Sequence, residues 1–483
     1  MLTALAWSPV LLLFILAVFL RRSALFLAVA GCLWTGVLAI TVFRTPLSGV
    51  LTSALWGVQV TLPLLLVVYG GILLASVLIE SGALTRLAAW FTGAARDEWE
   101  KVTLLSMGMG NALEGAGIIA EPVAAPMLRA SGLSPLASAS LAITGYSGLM
   151  TLGLGGVIIT VLASVSGYPA DILAGKVAIL SVPASVLLAW SIPLFTGGPT
   201  RSARLYGYLT VAGLTAGAGC WLAVELVGYQ VGELAGGVAL TALIVGPRLG
   251  RLKVTRTLVR DSAPLLVMGA GMVAVNIIPG FREWARQKAV WGTLSPMTDA
   301  WLYLFVAFVA AHLLLAKGQS LVRALVRGTG QGWRPLAAMA LFGSMGQVMA
   351  FTGWEGPLAS TGDPAFNIPC LLAGTLDGLG GGFVILVPFL GWVGTFLTGY
   401  GVASIMLFTA LLMEMAVRMG VSPEVMVCGL AVGASVGGVS SPFKVAFAAS
   451  MCGAAGREGE ILRKTIPLGI GVCLVLGVFL LFL

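Results

Sequence analysis

Apolar runs of roughly 17 to 25 residues recur from one end of the chain to the other, each long enough to cross a hydrocarbon core of about 30 Å. A chain built this way needs lipid around it. Of its 483 residues 58% are hydrophobic and 10% charged, against about 25% charged in soluble domains. A soluble enzyme, a disordered chain and a receptor with one anchor are therefore excluded. In lipid every backbone N–H and C=O must be satisfied inside the protein, which leaves helices or a closed barrel. The 65 Gly, the 22 Pro and the long apolar runs do not match the alternating strands of roughly 10 residues that build a barrel. The expected fold is an all-α polytopic membrane protein of about 12 transmembrane spans, a single transport domain over residues 1–483. Transporter, channel and membrane-embedded enzyme all fit that frame.

The net charge of +8 does not point to nucleic acid, because the 27 Lys and Arg sit mainly between apolar runs and form no single basic face. They act as topology signals instead. The first run, about Leu2 to Leu20, ends at Arg21 and Arg22, and the second, about Ala24 to Phe43, ends at Arg44. Further bursts fall at Arg86 to Lys101, Arg201 and Arg204, Arg248 to Arg260, Lys317 to Arg334 and Arg457 to Lys464. With these bursts cytoplasmic, both termini are expected outside. Arg282, Arg286 and Lys288 fall on the wrong side of that scheme. The first run lacks a basic n-region and reads as a retained span. The six Cys are scattered without a CxxC pair, so neither a disulfide framework nor a zinc site is expected. His312, in VAAHLLL, reads as an ordinary helix residue, and no GxxxxGKS or GxxxxGKT loop suggests an ATP-driven pump.

Gly, Pro and Ser interrupt four apolar stretches: Met107 to Pro126, Gly145 to Gly156, Gly394 to Ser404 and Gly433 to Pro442. Broken or re-entrant helices survive at membrane depth only where protein or a water-filled cavity covers them, so a site is expected there. The chain also repeats itself. LEGAG begins at Leu113 and LTGYG at Leu397, GLSP at Gly132 and GVSP at Gly420, while Ser81-Gly82 and Thr352-Gly353 close similar runs upstream. Three matches in one order argue for repeats over about 62–156 and 336–442. The loop after Gly82 carries Arg86, Arg96 and Lys101, whereas no Lys or Arg occurs between Arg334 and Arg418. Matched loops of unlike charge face opposite sides, which is the pattern of inverted-topology repeats in secondary transporters.

Helix N-termini meeting inside such a fold bind anions through free amides and the positive dipole end. Gly115 and Gly117 in the first repeat and Gly401 in the second are the candidates. Around them stand Thr144 and Ser147, Thr398, Tyr400 and Ser404, and Ser440 and Ser441, which either line a substrate site or serve helix packing. Ionisable groups inside apolar runs carry more information. Glu114 and Glu121 are seven residues apart, so on one continuous helix both face the same side. Lys444 follows Ser441-Pro442-Phe443. Glu414, Arg418, Arg129, Glu80 and Glu225 read as interfacial. The buried groups suggest a proton-coupling device in which Lys444 holds Glu114 or Glu121 when empty, and the acid is protonated when a substrate anion takes over Lys444. A permanent Glu to Lys pair that merely ties the repeats together is the structural alternative.

At these residues the chain resembles the lactate permease family of bacterial proton-coupled lactate and glycolate symporters. The likeness runs through LEGAG with Pro122 following, PFLGWVGTFLTG from Pro388 to Gly399, GVS from Gly420 to Ser422, Ser441-Pro442, and GREGEILRKT from Gly456 to Thr465. It implies a multi-pass inner-membrane symporter that takes a small monocarboxylate with protons; no cofactor is expected. The chain departs from the family pattern near the expected site. Where such permeases usually continue FLTG with a run such as SDTSSNALF, residues Tyr400 to Met406 read YGVASIM. Their EGAAGFGTP becomes EGAGIIAEP, placing Glu121 where a Thr is usual, and their SPQS becomes Ser441-Pro442-Phe443-Lys444. A carrier of another small anion coupled to Na⁺ or H⁺ is the alternative these departures leave, and an anion channel is the reading from a different class.

Overall fold

The computed structural model describes residues 2–197, 202–278, 280, 284, 294–316, 320–357, 359 and 362–483. Arg282, Arg286 and Lys288, like Arg201 and Lys317, lie outside the described residues. Those described are helical almost throughout, with an isolated bridge between Trp354 and Gly362. In chain order the helices are α1 Leu2–Phe14, α2 Ala24–Thr41, α3 Leu47–Glu80, α4 Ala83–Thr92, α5 Glu98–Thr103, α6 Gly110–Gly115, α7 Glu121–Ala130, α8 Pro135–Thr144, α9 Val157–Ser166, α10 Ala170–Trp190 and α11 Ile192–Thr196. They continue as α12 Ala203–Leu226, α13 Gly232–Val245, α14 Arg256–Ile277, α15 Ala300–Leu315, α16 Leu321–Ala350, α17 Ile368–Leu376, α18 Phe383–Thr398, α19 Gly401–Met419, α20 Pro423–Gly437, α21 Pro442–Cys452 and α22 Glu458–Leu480.

Eleven segments among the described residues are long and apolar enough to cross a membrane. The protein is a multi-pass membrane protein. The 30-residue α16 is not among the eleven, but it packs along α3, which is. Small residues bring these two together: a Cβ on Gly57 would lie 2.3 Å from the Gly343 carbonyl oxygen, and the Ser344 hydroxyl donates to the Ala54 carbonyl at 2.9 Å. Further along, Tyr69 and Thr329 share a hydrogen bond of 2.8 Å, and Glu80 pairs with Arg327. Rising numbers on α3 meet falling numbers on α16, so the helices run antiparallel.

The order of elements after α3 recurs after α16. Helix α8, an irregular stretch at 145–156 and α9 are matched by α20, an irregular stretch at 438–441 and α21. The second halves cross over, with α21 packed on α7 and α8 while α9 packs on α19. All four stretches expected to be broken are broken, at 116–120, 145–156, 399–400 and 438–441. The cover of the second and fourth is protein: residues 137–159 and 425–441 are buried without exception. Irregular backbone is tolerated at such depth because its polar groups find partners inside the bundle.

Candidate functional site

The first break follows from Gly117, whose φ of +81° lies in the left-handed region that glycine enters at no steric cost. Helix α6 closes there, with Gly117 N–H donating to the Glu114 carbonyl and Ile118 N–H to that of Leu113, both at 2.9 Å. Helix α7 then starts afresh, with Pro122 in its first turn, where a missing N–H is harmless. Glu114 and Glu121 therefore belong to two helices. The shared face expected from their seven-residue spacing does not form, because the left-handed glycine ends the first helix between them. Instead the Glu114 carboxylate accepts from Ala120 N–H at 3.0 Å and caps the start of α7.

Glu121 meets the second and fourth breaks. Its Oε1 accepts from the Tyr146 hydroxyl at 2.5 Å and lies 3.6 Å from Lys444 Nζ. Lys444 donates to the Tyr146 oxygen at 2.8 Å and stands 3.3 Å from Met150 Sδ, its ammonium 4.9 Å from the Tyr146 ring centroid. The Glu121 side chain is 2% exposed and that of Lys444 14%, so Lys444 is the more exposed end of this buried chain. Gly401 and Gly438 lie against Met150, and Ser435 donates to the Ser147 carbonyl at 2.6 Å. Tyr400, in the third break, packs on Phe443 with ring centroids 5.5 Å apart. Contacts thus join all four breaks.

Most of the hydroxyls singled out from the sequence already have a backbone partner. Thr144 donates to the Ser140 carbonyl, Ser147 to Ile143, Thr398 to Gly394 and Ser404 to Gly391, all at 2.7 to 2.8 Å. Ser440 donates to the Thr465 carbonyl at 2.7 Å and accepts from Trp392 Nε1 at 3.3 Å. The buried Ser441 hydroxyl has no partner among the described residues. Two glycines also serve packing: a Cβ on Gly115 would lie 2.2 Å from Leu234 N, and one on Gly117 would lie 2.7 Å from a Leu304 methyl. The amide of Gly117 is engaged as well, so the first break does not present the open anion cradle expected of it. Lys444 and Ser441 at the fourth break, with Met150 between Lys444 and Gly401, make the stronger candidate.

Elsewhere two of the acids read as interfacial are paired, Glu414 with Arg418 at 2.9 Å and Glu80 with Arg327. His312 packs its ring 6.3 Å from that of Phe308. Tyr146 and Glu233 are not among the candidates that the sequence singles out. In the sequence Tyr146 is only the aromatic of TGYS, within the interrupted stretch from Gly145 to Gly156. Glu233 stands in an apolar run, YQVGELAGG, and that acid within a span was the signal that could have found it.

A family model described as L-lactate permease matches residues 2–258 and 274–483. The chain belongs to the L-lactate permease family. It is 24% identical to the L-lactate permease of Salmonella typhimurium, over 92% of this chain and 90% of that protein. The L-lactate permease of Bacillus subtilis is 22% identical over 89% and 86% respectively, and the glycolate permease GlcA of Escherichia coli 24% identical over 98% and 94%. Glu121 and Lys444, singled out from the sequence, lie within 3.6 Å of each other.

Proposed function

We propose that this permease is a secondary transporter of a small monocarboxylate, lactate or glycolate in the first instance, moved together with a proton across the inner membrane. The named relatives support the substrate class, and the buried chain Glu121–Tyr146–Lys444, where the broken helices meet, carries the mechanism. A cation buried this deeply is costly unless a counter-charge meets it. Glu121 supplies that charge when the site is empty, and a substrate carboxylate supplies it when the site is filled. Ser441 stands near Lys444 in sequence with its hydroxyl free to donate to the same anion. Protonation of an acid in this group then balances the incoming negative charge, so anion and proton cross together without an unpaired ion in the bilayer. The two repeats, related by inversion, provide the alternating access, with both termini outside.

The charged pair favours a second reading within the same class. On that reading Glu121 and Lys444, which depart from the family pattern described above, fit the site to a different small anion, coupled to Na⁺ or H⁺, rather than to lactate itself. Uptake into proteoliposomes tests both. Accumulation of labelled lactate or glycolate against its gradient, abolished when the pH gradient is collapsed, is expected. Equilibration without accumulation indicates a channel and removes the symport reading, and accumulation of a different carboxylate alone selects the second reading.

A further inference from the structure

Glu233, at the start of α13, is 0% exposed, and neither of its carboxylate oxygens has a hydrogen-bond partner among the described residues. Other buried acids here are met. Glu121 has Tyr146 and Lys444, Glu114 has the Ala120 amide, and the fully buried Asp261 has Arg86 at 2.5 Å. The chain around Glu233 leaves room for its carboxyl group: a Cβ on Gly153 would fall 2.0 Å from Oε2, so any larger residue in the second broken stretch would have to displace this carboxylate. On the other side Gly115, next to Glu114, packs on the backbone of Glu233 and Leu234. The acid thus stands between the first and second breaks.

The titratable groups within electrostatic reach come from each side. They are Glu114 on α6, Tyr146 in the second break, Lys444 on α21 and Cys220 on α12; the like charge of Glu114 disfavours the Glu233 anion and the ammonium of Lys444 favours it. Arg248, beyond the far end of α13, is occupied by Glu100 at 2.6 Å. An ionised carboxylate without partners carries an uncompensated desolvation penalty, so a pocket like this accommodates the neutral acid and tolerates the anion only while Lys444, met by Glu121 and by no substrate anion, still helps to offset it.

We propose that Glu233 is the residue that carries the co-transported proton, while Glu121 and Lys444 form the substrate-facing pair. This rests on the proton-coupled reading above and names the acid within it. With the site empty, Lys444 is met by Glu121 alone, and its remaining field supports ionised Glu233. When a substrate carboxylate takes over Lys444, Glu233 takes a proton from the aqueous phase and forms the O–H bond of the neutral acid, so the net charge of the buried group is the same in both states. Release of the anion returns Lys444 to its former role and frees the proton on the other side.

Proton uptake by purified protein in weakly buffered detergent, followed with a pH dye on adding lactate, separates the possibilities. Wild type is expected to take up about one proton per lactate bound, and Glu233→Gln to bind lactate and take up none. Proton uptake by Glu233→Gln equal to wild type overturns the assignment. Lactate binding without proton uptake by wild type overturns the proton reading itself, and accumulation in proteoliposomes driven by a Na⁺ gradient would then name the coupling ion. In proteoliposomes the Gln variant should still exchange labelled lactate and should lose accumulation driven by a pH gradient. If Glu233→Gln fails to fold, Gly153→Ala crowds the same carboxylate without altering any charge; a shifted midpoint in the pH profile of uptake supports the assignment, and an unchanged midpoint defeats it.

Discussion

Lys444 is the more exposed end of the buried chain, and its replacement by Met removes the charge that a substrate carboxylate meets in the proposed site. Loss of one such buried pair, about 2 kcal/mol or more, lowers affinity roughly 30-fold or more, which equilibrium binding of labelled lactate measures. Two adjacent serines should part company. Ser441→Ala removes an uncommitted hydroxyl and is expected to weaken binding roughly 10- to 100-fold, the value of a hydrogen bond to a charged group of about 1.5 to 3 kcal/mol, with thermal stability unchanged. Ser440→Ala removes the donor to Thr465 and the acceptor for Trp392, so it is expected to lower the melting temperature and spare affinity. Away from the spans, Glu100 on α5 gives a pH handle. Burial pushes its carboxyl up, but hydrogen bonds from Arg248 at 2.6 and 3.0 Å and from Arg96 N–H at 2.7 Å more than reverse this, leaving it below its ordinary value. A group so lowered contributes stability that is fully present above its unfolded value and is lost as pH falls through the folded one. Melting temperature should therefore drop on acidification below about pH 4, and Glu100→Gln should melt lower at neutral pH with a flatter acid limb.

Helices α18 and α20 show why the glycines of this chain are spaced as they are. A Cβ on Gly433 would lie 1.9 Å from the Pro388 carbonyl oxygen, and one on Gly391 2.1 Å from that of Leu430, so the two helices touch backbone to backbone. Close approach of this kind replaces the hydrophobic driving force that helices lack in lipid. Gly433→Val should cost about 1 to 3 kcal/mol or more through overpacking, read as a lowered melting temperature and a loss of monodisperse protein. Gly471 on α22 has no atom near its missing Cβ. Gly471→Ala is expected to be neutral or to raise stability by up to about 1 kcal/mol, since alanine is the better helix former. The four broken stretches were legible from sequence because Gly, Pro and Ser end helices by local chemistry. What each break touches was not legible, since Glu121 and Lys444 meet from opposite ends of the chain, one on α7 and the other on α21.

For the bundle taken together, the antiparallel run of α3 and α16 is what two repeats inserted in opposite senses require. Arg96, before α5, and Ala365, before α17, are both exposed, and the inverted-repeat reading puts them on opposite faces of the membrane. A membrane-impermeant thiol reagent should label Arg96→Cys from one face and Ala365→Cys from the other in a background without native Cys. Labelling of both from the same face would remove the inversion and, with it, the alternating-access scheme built on it.

The need for lipid, the helical secondary structure, the positions of the breaks and the family could all be read from the amino-acid order, because hydropathy, helix termination and residue motifs are local properties of a chain. The residues of the buried pair could be read there too, since a Glu and a Lys within apolar runs are costly enough to be conspicuous. Which of them meet depended on the folded bundle. Folding put Tyr146 between Glu121 and Lys444, tied Glu114 to the start of α7, and occupied the hydroxyls of Thr144, Ser147, Thr398 and Ser404 with backbone carbonyls. It left the Glu233 carboxylate without a hydrogen-bond partner among the described residues, because whether a buried acid is met by a donor depends on the side chains that packing brings from helices distant in sequence.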